Sequence, residues 1–154
     1  MIRVILQGRT GNNLFQYAAG RALALRHNTG LILDGAWADA RHARQFEQLL
    51  RLPLDARYER RASLPKRMAR RLFRLGPGSL HGGTLIQETD PASPPDLSTA
   101  PDDAVLLGFF QAPAHAEAAE APLRRELDPG TLDLPAASRD FEQELHARPT
   151  VSIH

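Results

Sequence analysis

The run from Ile2 to Asp34 constrains the fold more than any other part of the chain. It reads IRVILQ, then GRTG, then NNLFQYAAGRALALRHNTG, then LILD. The first piece is rich in β-branched residues and stops at Gly8, which predicts a short buried strand over 2–7. From Asn13 to His27, the residues Leu14, Phe15, Ala18, Ala19, Ala22, Leu23 and Leu25 recur at helical spacing. Asn12 is placed to cap that helix with its side-chain oxygen, and Gly30 to close it. Leu31–Asp34 reads as a second buried strand that ends in an acid. Strand, glycine turn, helix and strand make a βαβ unit. The expected fold class is therefore α/β, with a mostly parallel sheet.

The rest of the chain is less regular. Short apolar periodicity predicts helices over 44–52 and 63–76, followed by a glycine-rich loop over 77–83. The stretch TDPASPPDLSTAPDD, residues 89–103, holds four prolines and reads as an irregular surface connection. A third buried strand is expected at Ala104–Gln111. AHAEAAEAPLRREL is helical in pattern, with Pro122 starting a new turn or kinking it. A further helix starts at Ser138, and TVSIH reads as the opening of a fourth strand. The expectation is one domain over 1–154, with an irregular Arg-rich and Pro-rich middle over 38–103.

Several function classes find no support. There are no cysteines, hence no disulfide framework and no thiolate metal site. His27, His42, His81, His115 and His146 lack metal-like spacing and read as solvated or structural. No Ser-His-Asp or Cys-His arrangement is suggested. The start of the chain lacks the long apolar stretch of a signal peptide, and no window reaches the roughly 18 apolar residues of a membrane span. A reducing, cytoplasmic location is the expectation, at the inner face of the membrane in the variant reading. Between Arg41 and Arg74 eleven basic residues face three acidic ones, a local net charge of +8 in a chain of net charge +1. Within that patch Arg67, Arg70, Arg71 and Arg74 share one helix face. They read as a solvated face, or as a surface for an anionic membrane or acceptor. Nucleic acid is not the expected partner, since interleaved aromatics and known motifs are missing.

The turn at residues 8–13 is the first candidate site. Gly8 and Gly11 let the backbone turn sharply, and the helix that follows offers unpaired N–H groups and a positive dipole end. Arg9 can add a charge-assisted contact, and Asn12 and Asn13 can bind a sugar or phosphate oxygen. The same residues also fit an ordinary glycine turn with an asparagine cap. They do not make a P-loop, because no Gly-Lys-Ser/Thr follows. Nor do they match the dinucleotide fingerprint, because a third glycine is missing. Asp34 stands where a ribose-binding acid would stand, or simply caps its strand. Gln111 falls at the strand end where open α/β sheets place ligands.

The wording of these segments resembles the bacterial α-1,2-fucosyltransferase family. GRTGNNLFQYAAGRALALRHNTGLILD resembles its Gly-Gly-Leu-Gly-Asn-Gln-Met-Phe-Gln-Tyr opening. RQFEQLLRLPL is similar to its Arg-x-Phe-Glu-Leu segment. LLGFFQAPAHAEAAEAPLRREL is similar to its Gly-Tyr-Phe-Gln-Ser segment with the helix behind it. VSIH is similar to the strand that enters its His-x-Arg-Arg-Gly-Asp motif. The departures are Arg9 and Thr10 for Gly and Leu, Asn13 for Gln, and Ala112 and Pro113 after Gln111.

The resemblance implies a Rossmann-like N-terminal, acceptor-side domain of a two-domain, GT-B type glycosyltransferase. The C-terminal donor-binding domain is not in this sequence. It implies inverting transfer of fucose from GDP-fucose to a hydroxyl of an acceptor glycan, with no cofactor and no metal. Gly8, Arg9, Gly11, Asn12, Asn13 and His154 are then the expected donor contacts. Gln111 and Asp34 are the expected acceptor or cleft residues, and the catalytic residues, general base included, are not identified. The family's paired arginines would follow His154, so the isolated chain is expected to have little or no activity. Its self-association through an uncovered strand edge is a further expectation. The alternatives are a non-catalytic glycan- or nucleotide-binding remnant and, third, a basic nucleic-acid-associated domain.

Overall fold

The computed structural model describes residues 1–36, 46, 48–59, 82–128, 130, 132, 135–147 and 149–151. In chain order the elements are β1 (Ile2–Ile5), α1 (Thr10–Arg26), β2 (Leu31–Asp34), β3 (Arg57–Glu59), β4 (Leu85–Gln87) and β5 (Val105–Leu107), then the helices α2 (Ala114–Glu117), α3 (Glu120–Glu126) and α4 (Ala136–His146). The strands form one five-stranded sheet in the order β3-β2-β1-β5-β4, and every pairing is parallel. The α/β expectation holds at this level, and the arrangement is compatible with a Rossmann-like one.

The apolar alternation of β1 and β2 explains how α1 is seated. Ile2, Val4, Leu31, Leu33 and Leu106 join Tyr17, Ala19 and Leu23 of α1 in one buried cluster. Ile5, Val105 and Leu107, which point the other way, form a second cluster. The helix comes unusually close to the sheet at Gly20. A Cβ there would stand 2.5 Å from Val4 Cγ2 and 2.9 Å from Leu31 Cδ1. A stripe of small residues, more than a strongly apolar face, lets α1 lie flat on the strands.

Several predicted boundaries shift. Helix α1 begins at Thr10, with Arg9 in the extended cap position and no side-chain cap. Asn12 is thus inside the first turn, not the N-cap, because its side chain is engaged elsewhere. The third predicted strand is shorter than 104–111, and Gln111 lies in the loop beyond it. The pattern over 114–127 splits into α2 and α3, with Pro122 in the first turn of α3, where its missing N–H costs no helical bond. The helix predicted from Ser138 is α4, starting two residues earlier. Strands β3 and β4 were not anticipated. Both are three-residue edge strands, and RYE carries two charges in three positions. Residues 89–103 form no helix or strand, as expected. Thr150 and Val151 belong to no strand. The helix over 63–76 and the residues His42, Arg67, Arg70, Arg71, Arg74, His81 and His154 lie outside the described residues.

Two charge clusters tie the elements together. Arg3 of β1 bonds Asp34 of β2 at 3.0 Å and Glu59 of β3 at 2.7 Å. Burial by itself would lower the pKa of Arg3, but the two carboxylates outweigh it and hold it above its usual value. Arg21 of α1 reaches Glu126 of α3 at 2.9 Å and Asp55 at 2.8 Å. Tyr17 donates its hydroxyl to Glu126 and accepts the Asp55 N–H at 3.1 Å.

Among the described residues, no helix is long and apolar enough to cross a membrane.

Candidate functional site

The chain runs from β1 outward to β2 and β3, and returns from the opposite edge through β4 to β5. The two halves of the sheet meet between β1 and β5. Open parallel sheets hold ligands beyond the carboxyl ends of their strands, beside such a break in strand order. Here two segments face each other at that position, and we call the place where they meet the crevice and the segments its walls. Leu6 to Asn13 leave β1 and form one wall. Gly108 to Gln111 leave β5 and form the other.

Beneath the crevice lies a closed amide network. Gln16 Oε1 accepts the Gln7 N–H at 3.2 Å and an Asn13 Nδ2 hydrogen at 3.0 Å. Gln16 Nε2 donates to the Gly108 carbonyl at 2.7 Å, and Asn13 Nδ2 also donates to the Gln7 carbonyl at 2.8 Å. Both side chains are fully buried. Asn13 Oδ1 is buried without a hydrogen-bond partner. Asn13, expected as a donor contact, is therefore part of the floor and not of the exposed rim.

The first wall is shaped by Gly8. Its φ of +73° favours glycine. A Cβ at Gly8 would also stand 2.5 Å from Asn12 Nδ2 and 3.0 Å from the Phe109 ring. Gly11 is different. Nothing lies within 4 Å of where its Cβ would be, so the predicted need for glycine there does not hold. What Gly11 does is leave the helix end uncovered. The first bond of the α1 ladder runs from the Asn13 N–H to the Arg9 carbonyl at 3.0 Å. The N–H groups of Thr10, Gly11 and Asn12 precede that ladder and carry the positive end of the helix dipole. Arg9 is exposed beside them.

The second wall is held from β4. Glu88 Oε2 accepts the N–H groups of both Phe109 and Phe110, at 2.7 and 2.8 Å. Phe110 has a φ of +52°, a left-handed conformation that costs a non-glycine residue about 1–2 kcal/mol. Its ring offsets that cost by burial, 1 % exposed, and by an edge contact with His115 at a centroid distance of 5.6 Å. The two walls touch where Gln111 Nε2 donates to Asn12 Oδ1 at 2.9 Å. The structure thus brings Gly8, Arg9, Gly11, Asn12 and Gln111 to one place.

It keeps Asp34 away. That carboxylate is 1 % exposed, bonded to Arg3, and accepts the Ala36 N–H at 2.9 Å. Asp34 is an internal partner of β1 and not a cleft acid. His115 is buried and His27 half-buried, and the Nε2 of each lies against a carbonyl, Pro95 at 3.0 Å and Ala100 at 2.8 Å. Among the described residues no cluster of His and acids could hold a metal ion.

Two residues of this site escaped the reading of the sequence, Gln16 and Glu88. Gln16 left a signal, a polar residue on the same helical stripe as buried Ala19 and Leu23. Glu88 left none, since its role depends on which strand lies beside β4.

The crevice offers amide donors and acceptors, a guanidinium and a helix N-terminus, and among the described residues no nucleophile paired with a base. Its chemistry suits the holding of an anion and of sugar hydroxyls. No family model, no curated protein and no solved structure matches the chain.

Proposed function

We propose that the crevice binds a nucleotide sugar, GDP-fucose by the resemblance of residues 8–34, as part of fucosyl transfer to a glycan hydroxyl. The chain is then the Rossmann-like N-terminal part of a two-domain glycosyltransferase. The observation that carries the reading is the Asn12–Gln111 contact beside the open N-terminus of α1. It joins two segments on which the resemblance rests, although they lie far apart in the chain. Arg9 and the first-turn N–H groups supply charge for a phosphate or for a developing oxyanion. Asn12 and Gln111 supply amide donors and acceptors for sugar hydroxyls. Catalysis here rests on positioning and charge stabilisation, with no covalent intermediate on this chain.

Calorimetric titration of GDP, GDP-fucose and a UDP-sugar onto the full chain tests the reading. The expected result is saturable, phosphate-dependent binding of all three, tightest for GDP-fucose, whose sugar meets Asn12 and Gln111. Asn12→Ala removes one hydrogen bond to the ligand and weakens binding by about tenfold. Equal binding of all three compounds, or none by millimolar concentration, overturns it.

A further inference from the structure

We propose that Glu88 is a positioning residue of the crevice: its carboxylate sets the backbone turn that presents the Gln111 amide to Asn12. The functional half of this inference rests on the nucleotide-sugar reading above; the structural half does not.

Glu88 follows β4 directly. Its own N–H donates to the Leu107 carbonyl at 2.9 Å, which continues the β4–β5 pairing one step past the strands. The side chain then crosses the end of β5. One oxygen, Oε2, takes two successive backbone N–H groups, those of Phe109 and Phe110. Contacts at 2.7 and 2.8 Å are in the range of charge-assisted hydrogen bonds. Two donors on one acceptor require the backbone to curl around it. The left-handed φ of Phe110 is that curl. The next residue is Gln111, and its amide leaves the curl toward Asn12.

The crossing needs room, and Gly108 provides it. A Cβ at position 108 would stand 2.5 Å from Glu88 Cβ and 3.1 Å from Glu88 Oε2. The first clash is with the root of the Glu88 side chain, close to the backbone, so it cannot be relieved by swinging a flexible tip. Gly108 and Glu88 therefore act as one unit. The glycine admits the side chain, and the carboxylate shapes the loop. No other side chain holds these two N–H groups among the described residues. The Phe110 ring anchors the loop to the core but does not determine where its N–H points.

The two halves are tested together on the full chain. Side-chain amide NMR follows the Gln111–Asn12 contact, and GDP titration follows binding. Glu88→Ala is expected to remove the Gln111–Asn12 cross-peak while the methyl groups of Ile2 and Leu33, buried in the core under α1, keep their shifts, which shows the fold intact. If the loop then holds the binding shape about a tenth of the time, the apparent Kd for GDP rises about tenfold. Glu88→Gln keeps an oxygen acceptor and is expected to restore both readouts nearly to wild type. Gly108→Ala should also lose the cross-peak, since its Cβ would stand 2.5 Å from Glu88 Cβ and displace the side chain. An unchanged cross-peak in Glu88→Ala overturns the proposal. So does Glu88→Gln behaving like Glu88→Ala. If the wild type binds no GDP but the cross-peak still depends on Glu88, the nucleotide-sugar reading falls and the positioning role stands.

Discussion

The two walls of the crevice are built on different principles. The β1 wall is local. Gly8, Asn12, Asn13 and Gln16 lie within about two helical turns of one another, and their contacts follow from the turn and the start of α1. The β5 wall is assembled from afar. Its shape depends on Glu88 from a neighbouring strand, on Gly108 to admit that side chain, and on the burial of Phe110. A local wall fails only with its helix. An assembled wall can change shape while the fold survives.

Three substitutions sharpen this contrast, from the greatest loss to the least. Gly20→Val sets a branched side chain into the closest approach of α1 to the sheet, where even a Cβ would meet Val4 at 2.5 Å. Overpacking there should cost about 3 kcal/mol in urea unfolding and carry the β1 wall down with the fold. Full stability in this variant would show that α1 is not held as described. Gln16→Leu removes the amide that joins both walls below the crevice. The Gln7 N–H and the Gly108 carbonyl lose their partner, at about 2 kcal/mol. Unlike Gly20→Val, it should perturb the NMR signals of both walls, and an effect confined to one would break the bridging role.

The smallest effect is set by pH. Burial first, and then its hydrogen bond to Glu126, push the Tyr17 hydroxyl well above its ordinary pKa of 10.0. Burial pushes Tyr58 up to about 12. A raised folded-state pKa gives stability that is complete below the unfolded value and lost as pH rises through the folded one. Unfolding midpoints should therefore hold steady up to pH 10 and fall above it. Tyr17→Phe should cost about 1 kcal/mol at neutral pH and make the alkaline fall shallower. An alkaline limb that keeps its slope would remove Tyr17 from that role.

Legibility in the sequence follows the same division. The βαβ unit of residues 2–34 was readable because β-branched runs, a glycine turn and helical periodicity are all local signals. The parallel sheet followed from it. Strands β3 and β4 were not readable, since three-residue edge strands carry too few positions to show a period. Asn12 looked like a cap because its residue type favours one, yet a long-range partner, Gln111, claimed its side chain. Asp34 looked like a cleft acid because it ends a strand. Its fate was decided by Arg3, whose unpaired charge inside the sheet would cost more than a lost ligand contact. Amphipathic pattern also misleads in one place. Helix α4 has the strong pattern and buries nothing, whereas α1 has little pattern and is buried along most of its length. Small residues that permit close approach, not a contrast of faces, decided which helix lies on the sheet.

The pairing of β1 has a consequence in time. Arg3 lies opposite Ile32 on one side and opposite Val105 on the other. The first partner is a single helix away along the chain, and the second is separated by most of it. Closing the longer loop costs more entropy and brings its reward later. The β1–α1–β2 unit can therefore form early, with its glycine turn already in place. The crevice exists only once β5 docks against β1, so a ligand gripping both walls would act as a clamp on the last step of folding. It would slow the loss of β5 more than the loss of any other strand, and raise apparent stability with the logarithm of ligand concentration once that exceeds Kd.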